Sequence, residues 1–263
     1  MSHNPSTTPV LELLRSLPSV NLQTLNATAE LLNRRDRKYL VPTAVLEEVL
    51  LEVGTTAAVL SVAGRYQTRY HTTYFDTADW LSYRLSATKR RRRFKIRLRA
   101  YESDTRYLEV KTNGSRGRTQ KNRWLLPNNC AICDVFDAAT GLAEPVQRCL
   151  DERNITSPPL EYFHTVLQVQ YNRSTLLLGS SRATIDSNLK LGKPGYPLVS
   201  VVDSTITAPV IVETKTLGAT TVLDRALWAR GFRPIALSKF AAGVAHIYGF
   251  PGNRWHRLLT KLQ

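Results

Sequence analysis

From Phe94 to Tyr101 the chain alternates without a break, with Lys95, Arg97 and Arg99 on one parity and Ile96 and Leu98 on the other. Period two belongs to an extended strand whose two faces meet different surroundings. The pattern recurs along the sequence. Taking every second residue gives Arg34, Asp36 and Lys38; Tyr107, Glu109 and Lys111; Thr119, Lys121 and Arg123; Tyr171 and Arg173; Thr184 and Asp186; and Ile211, Glu213 and Lys215. The intervening positions include Leu108, Val110, Val212 and Thr214, expected to pack outward against helices. A sheet wetted on one side normally mixes its charges there. Here the cations gather, and the whole chain has 36 Lys and Arg against 21 Asp and Glu, a net charge of +15. Two arrangements satisfy this spacing. Either the sheet curls into a tube whose cationic lumen holds an anion and water, or the charged faces point outward. Bare burial of so many cations is too costly for the first to stand without an anion.

The remaining elements follow the same reading. A strand over Arg34 to Val41 leads through Pro42 and Thr43 into a helix ending at Val53, and Thr68 to Phe75 is a second strand. Asp76 and Thr77 cap a short helical turn through Tyr83. Phe94 to Tyr101 and Arg106 to Thr112 form a hairpin about Ser103-Asp104, and Arg118 to Leu126 follows the Gly114 to Gly117 loop. Ile132 to Arg153 reads as helical, and strands resume over 162–171, 174–178, 182–189 and 207–216. Thr221 to Arg230 is an amphipathic helix, and 255–262 a last short one. The expected fold is α+β: an antiparallel β-barrel tunnel with flanking helices, one domain over 9–263 behind a loose polar tail at 1–8. No segment has the length and apolar character of a bilayer span or a secretory signal. The three cysteines suggest neither a disulfide framework nor a zinc site.

Several ordered motifs resemble the catalytic domain of the vacuolar transporter chaperone (VTC) family, polyphosphate polymerases within the CYTH/triphosphate tunnel metalloenzyme superfamily. They are Arg34-Arg35-Asp36-Arg37-Lys38-Tyr39, Thr73-Tyr74-Phe75-Asp76-Thr77, Lys95-Ile96-Arg97-Leu98-Arg99-Ala100-Tyr101 and Tyr107-Leu108-Glu109-Val110-Lys111-Thr112. Tyr171-Asn172-Arg173, Ala183-Thr184-Ile185-Asp186, Val212-Glu213-Thr214-Lys215 and Leu237-Ser238-Lys239-Phe240 continue the series. The resemblance implies a triphosphate-tunnel fold. It implies that Lys38, Arg97, Arg99, Lys111, Lys121, Arg173 and Lys239 bind phosphates, with Ser238 beside the last. Arg34 and Lys215 line the same surface, and Glu213 matches the glutamate that holds Mn2+ or Mg2+. Where hydrolases and cyclases of the superfamily begin with Glu-x-Glu-x-Lys, this chain has Arg34, Asp36 and Lys38, which resembles the polymerase branch. Neither the SPX domain nor the transmembrane helices of eukaryotic members is expected from these residues.

The activity so implied is transfer of the γ-phosphoryl group of ATP to inorganic polyphosphate, with Lys38, Arg97, Arg99, Lys111 and Glu213 as the catalytic set. A metal-dependent triphosphatase and a non-catalytic polyphosphate-binding module are the rival readings. The run Lys89 to Arg93, continuing to Lys95, reads alone as a nucleic-acid patch or localisation signal, but it has no interleaved aromatics, and an entrance or exit for a phosphate chain is favoured over a plain solvated turn. The expected setting is cytoplasmic and peripheral to the membrane, through a separately encoded membrane-protein partner.

Overall fold

The computed structural model describes residues 9–29, 35–102, 105–113, 119–127, 130–201, 209–218, 220–250 and 255. Arg34, the Ser103-Asp104 turn, the 114–117 loop, the tail at 1–8 and all of the expected last helix except Trp255 lie outside the described residues.

In chain order the elements are α1 (Pro9–Ser16), β1 (Ser19–Val20), α2 (Leu22–Thr28), β2 (Arg35–Pro42), α3 (Thr43–Val53), β3 (Ala57–Leu60) and β4 (Thr68–Thr77). Next come α4 (Leu81–Ala87), β5 (Phe94–Tyr101), β6 (Arg106–Asn113), β7 (Thr119–Leu125), α5 (Ala143–Asp151) and β8 (Phe163–Leu178). The chain continues through β9 (Ser181–Gly192), β10 (Val199–Ser200), β11 (Pro209–Thr216), α6 (Val222–Ala229) and α7 (Lys239–Ile247). The architecture is α+β with an antiparallel main sheet, as the alternation implies.

The chain divides into two compact units, and β8 and β9 contribute to both. The first comprises Met1–Thr68, Asn172–Asn188 and Val202–Leu237. Its strands pair in the order β2-β11-β9-β8, with Glu213 opposite Lys38 on one side and Thr184 on the other. Tyr39, Val41, Ile185, Val210 and Val212 turn to a core completed by Leu46, Val49, Leu50 and Val53 of α3 and Leu223, Ala226 and Leu227 of α6. Pro42 ends β2 and α3 begins at Thr43, since proline has no N–H for the ladder. A capping box starts α6: the Asp224 N–H donates to Thr221 Oγ1 at 3.0 Å and the Thr221 N–H to Asp224 Oδ2 at 2.8 Å.

Asp224 also accepts from Arg37 Nη1 at 3.3 Å, from the Tyr39 hydroxyl at 2.6 Å and from the Thr214 hydroxyl at 2.7 Å, while Trp228 Nε1 donates to Tyr39 at 3.0 Å. Burial, followed by the Asp224 carboxylate, pushes the Tyr39 phenol well above its ordinary value. This network occupies the core-facing parity of β2, the opposite side from Lys38.

The second unit comprises Arg69–Tyr171, Leu189–Val201 and Ser238–Gln263. Its strands run β8-β4-β5-β6-β7. Ile96, Leu98, Leu108 and Val110 are buried against Leu81 and Leu85 of α4 and Val146, Cys149 and Leu150 of α5. These are the positions expected to pack under helices. Among the described residues β2 and β7 each have a strand neighbour on one side only, so the pairing expected to close a barrel is an open ladder.

Candidate functional site

With one parity of each strand committed to a hydrophobic core, the other parity carries the charges. Lys121 and Arg123 of β7 are exposed, but the inner members of the set are not a solvated surface. Exposure of the side chain is 19% for Arg97, 9% for Arg99, 12% for Lys215 and 28% for Lys38, too little for freely hydrated cations.

In the first unit Glu213 lies between two lysines. Lys38 Nζ is 2.8 Å from Oε1 and Lys215 Nζ 2.9 Å from Oε2. Burial opposes the charge on Glu213, but Lys215, Lys38 and Arg173 outweigh it and hold the carboxyl well below the usual range. Burial also lowers the Lys215 ammonium, with Glu213 pulling the other way. Arg173 makes a bidentate contact with Asp186, Nε to Oδ1 at 2.6 Å and Nη2 to Oδ2 at 2.7 Å. Such forked pairing fixes the plane of the guanidinium. Thr184, in register with Glu213, has a buried hydroxyl without a protein partner among the described residues.

In the second unit the register sets charges side by side. Lys95 of β5 is opposite Lys111 of β6, and Lys111 is opposite Lys121 of β7. Like charges directly opposite one another destabilise a sheet. Two residue pairs along, and so on the same face, Arg97 is opposite Glu109. Glu109 is 1% exposed and serves three cations: Arg97 Nε and Nη2 donate to Oε2 at 2.8 and 2.6 Å, Lys121 Nζ is 3.3 Å from Oε1, and Arg99 Nη1 lies 3.8 Å from Oε2. Burial would raise the Glu109 carboxyl; Arg97, Arg99 and Lys121 reverse this and hold it at about 2. Arg99 is itself buried, and its Nε has no protein partner among the described residues.

Ser238 begins α7, accepting from the Ala241 N–H at 3.2 Å and from Lys95 Nζ at 2.8 Å. Next to it, Lys239 Nζ lies 4.7 Å from the ring centroid of Tyr171, which stacks on Tyr70, and Arg99 lies over Tyr70. Cation–π contact attracts the charged groups themselves to the ring faces and fixes where the ammonium and the guanidinium sit. The second unit thus gathers Arg97, Arg99, Lys111, Lys121, Ser238 and Lys239; the first gathers Lys38, Arg173, Glu213 and Lys215.

The VTC domain family model matches residues 33–248. The chain belongs to the VTC domain family. No curated protein sequence matches it. Two solved structures share the fold. One is a candidate adenylate cyclase from Bacillus halodurans, 14% identical, with TM-score 0.51 over 78% of this chain and 95% of that one. The other is a candidate adenylyl cyclase from Hippeastrum described as having a dominant triphosphatase activity, 14% identical, with TM-score 0.50 over 81% of this chain and 95% of that one.

This VTC chain also uses residues outside the set that the resemblance assigned to phosphates and the metal. Glu109 and Asp186 are the carboxylates on which Arg97 and Arg173 are mounted, and Lys95 reaches the cap of α7. The charge alternation put all three on the correct face. It gave no sign of which carboxylate takes which guanidinium, because that depends on cross-strand register.

Proposed function

We propose that the protein is a phosphotransferase acting on linked phosphates, and specifically that it passes the γ-phosphoryl group of ATP to the end of an inorganic polyphosphate. One observation carries this reading: a cationic face on which Arg97 and Arg99 are largely withdrawn from solvent, beside a lysine row in cross-strand register, the buried Arg99 having an Nε that lacks a protein acceptor among the described residues. Such a face concentrates more positive than negative charge, and a chain of phosphates is an anion of complementary form.

In the transfer, a terminal oxygen of the acceptor forms a bond to the γ-phosphorus, the bond from that phosphorus to the β–γ bridging oxygen breaks, and ADP leaves with the electron pair. The acceptor is already anionic, so no strong general base is required. What the reaction needs is alignment and dispersal of charge. Arg97 and Arg99 offer flat, directional donors to phosphoryl oxygens; Lys111, Lys121 and Lys239 add mobile point charges.

A divalent cation fits the donor set in one way. Among the described residues no group of three His, Cys, Asp or Glu side chains is placed to chelate one. Glu213 is a single carboxylate kept ionised by Lys38 on one oxygen and Lys215 on the other, so one of these contacts must give way to an ion; Mg2+ or Mn2+ characteristically takes one or two carboxylates and draws its other ligands from substrate phosphates and water. Glu213 would hold the ion, which when bound neutralises charge on the phosphate oxygens.

The test is incubation of the purified chain with ATP and Mn2+, followed by electrophoresis with polyphosphate staining. Polymer from the unaltered protein, lost in Glu213→Gln and Arg97→Ala, is the expected result. Orthophosphate release from tripolyphosphate without polymer would move the assignment to a triphosphatase; binding with no turnover would make it a polyphosphate-binding module.

A further inference from the structure

Between Trp80 and Tyr101 the chain has nine Lys or Arg and no Asp or Glu. Lys95, Arg97 and Arg99 belong to the face just described. Lys89, Arg90, Arg91 and Arg92 do not: they are exposed on the turn between α4 and β5, and among the described residues no carboxylate pairs with any of them.

The turn has a defined backbone. Helix α4 stops with Lys89 in the left-handed region at φ 54°, the Arg90 N–H returning to the Leu85 carbonyl at 2.9 Å and the Lys89 N–H to that of Ser86 at 3.3 Å. These are the paired bonds of a helix C-terminal cap. The Arg93 N–H and its Nη1 both return to the Arg90 carbonyl. Arg93 then continues the β5 alternation. Phe94 is opposite Thr112, and Asn113, with its amide oxygen turned to the guanidinium, accepts from Arg93 Nη1 at 3.0 Å. Arg93, Lys95, Arg97 and Arg99 therefore form one line of cations along the strand, about 20 Å from end to end at the rise of a β-strand. That is longer than the three linked phosphates of a nucleotide can span, and its outer end meets the unpaired turn.

We propose that the Lys89–Arg92 turn is an exosite for the part of a phosphate polymer that extends beyond the reaction site. This rests on the proposed function and deepens it. The chemistry of the turn selects among polyanions. No exposed large hydrophobic residue lies between Trp80 and Tyr101, so the turn lacks the apolar wedge with which a basic segment enters a bilayer. No exposed aromatic ring is interleaved with the run, so it lacks the stacking platform of a single-stranded nucleic-acid groove. What remains is an array of charge continuous with the inner line, suited to a flexible ligand made of phosphate alone.

The test uses the full chain with Arg90→Gln/Arg91→Gln/Arg92→Gln, a triple change at exposed positions outside the reaction site, and with the matching Lys triple variant, which keeps the charge. Binding of tripolyphosphate and of long-chain polyphosphate is measured across a salt series. The Gln variant is expected to weaken long-chain binding by about tenfold or more and to reduce the salt slope by about 2. Tripolyphosphate binding and melting temperature should stay as in the unaltered protein, and the Lys variant should bind long chains normally. Equal losses for short and long ligands, or no loss for either, overturn the exosite. So does a nucleic acid or an anionic phosphatidylserine vesicle that binds the unaltered chain as tightly as polyphosphate and is lost in the Gln variant. If the unaltered protein binds neither phosphate ligand, it is the proposed function that fails, before the turn is at issue.

Discussion

Replacing Glu109 with glutamine keeps the shape of the side chain and removes the one buried negative charge shared by Arg97, Arg99 and Lys121. The carboxyl is held at about 2 against an ordinary 4.5, which corresponds to ~3 kcal/mol favouring the ionised form in the folded protein. Removing one member of a buried ion pair costs about 3–5 kcal/mol, because the partners stay behind without compensation. At about 2–4 °C per kcal/mol for a chain of this size, the melting temperature should fall by on the order of 10 °C. The same vacated charge makes the face a better anion receptor. Tripolyphosphate should therefore raise the melting temperature of Glu109→Gln by more than that of the unaltered protein at equal concentration, since stabilisation grows with RT ln(1 + [L]/Kd). Thermal denaturation with and without tripolyphosphate reads both quantities. A variant as stable as its parent, or two proteins stabilised equally by the anion, would show that Glu109 is not the internal counter-ion of this face.

Other outcomes follow from the same structure. Acid should weaken the fold in a defined window: the folded-state carboxyl of Glu109 is depressed, so its contribution is whole above pH 4.5 and is lost as pH falls towards 2, measurable by denaturant titration along a pH series. Asp186→Asn strands Arg173 and should cost about 3–5 kcal/mol in chemical denaturation. Ser238→Ala removes both the α7 cap and an acceptor of Lys95, for a loss of about 1 kcal/mol in the same assay. Gly243→Ala should cost no more than about 2 kcal/mol, the crowding of a Cβ against Leu167 Cδ2 at 2.8 Å being offset by about 1 kcal/mol of helix propensity gained inside α7.

The strands with strict alternation were the most readable part of the chain: the expected strand from Phe94 to Tyr101 coincides with β5, and the helix from Thr43 to Val53 with α3. Elsewhere local sequence was a poorer guide. Ile132 to Arg153 reads as helical, yet within it only Ala143–Asp151 is α-helical, with a short 3-10 turn at Ala138–Thr140 ahead of it. The capping groups at Asp76 and Thr77 are real, but they act later than expected. Asp76 accepts from the Ser82 and Tyr83 N–H groups, so β4 runs on to Thr77 and α4 starts at Leu81. The polar Asn172-Arg173 pair looks like a break between two strands; β8 passes straight through it because Asp186 on β9 neutralises Arg173. Helix α7 is almost wholly buried, and its Ala- and Gly-rich run has no polar stripe to announce it. For the site, the parity of each charged residue was legible, whereas its partner across the ladder was not.

One consequence of the Asp224 network remains. Lys38 sits between Arg37 and Tyr39, and both of these are bolted from behind to the same carboxylate on α6. Sliding β2 by one position would drive Lys38 into the hydrophobic layer and eject Tyr39 into the charged one. The backbone carrying Lys38 is therefore locked, leaving rotation of the lysine about its own bonds as the local freedom with which this strand can answer an incoming anion. Amide hydrogens of β2 should accordingly exchange at the slow rate of the core whether or not phosphate is present.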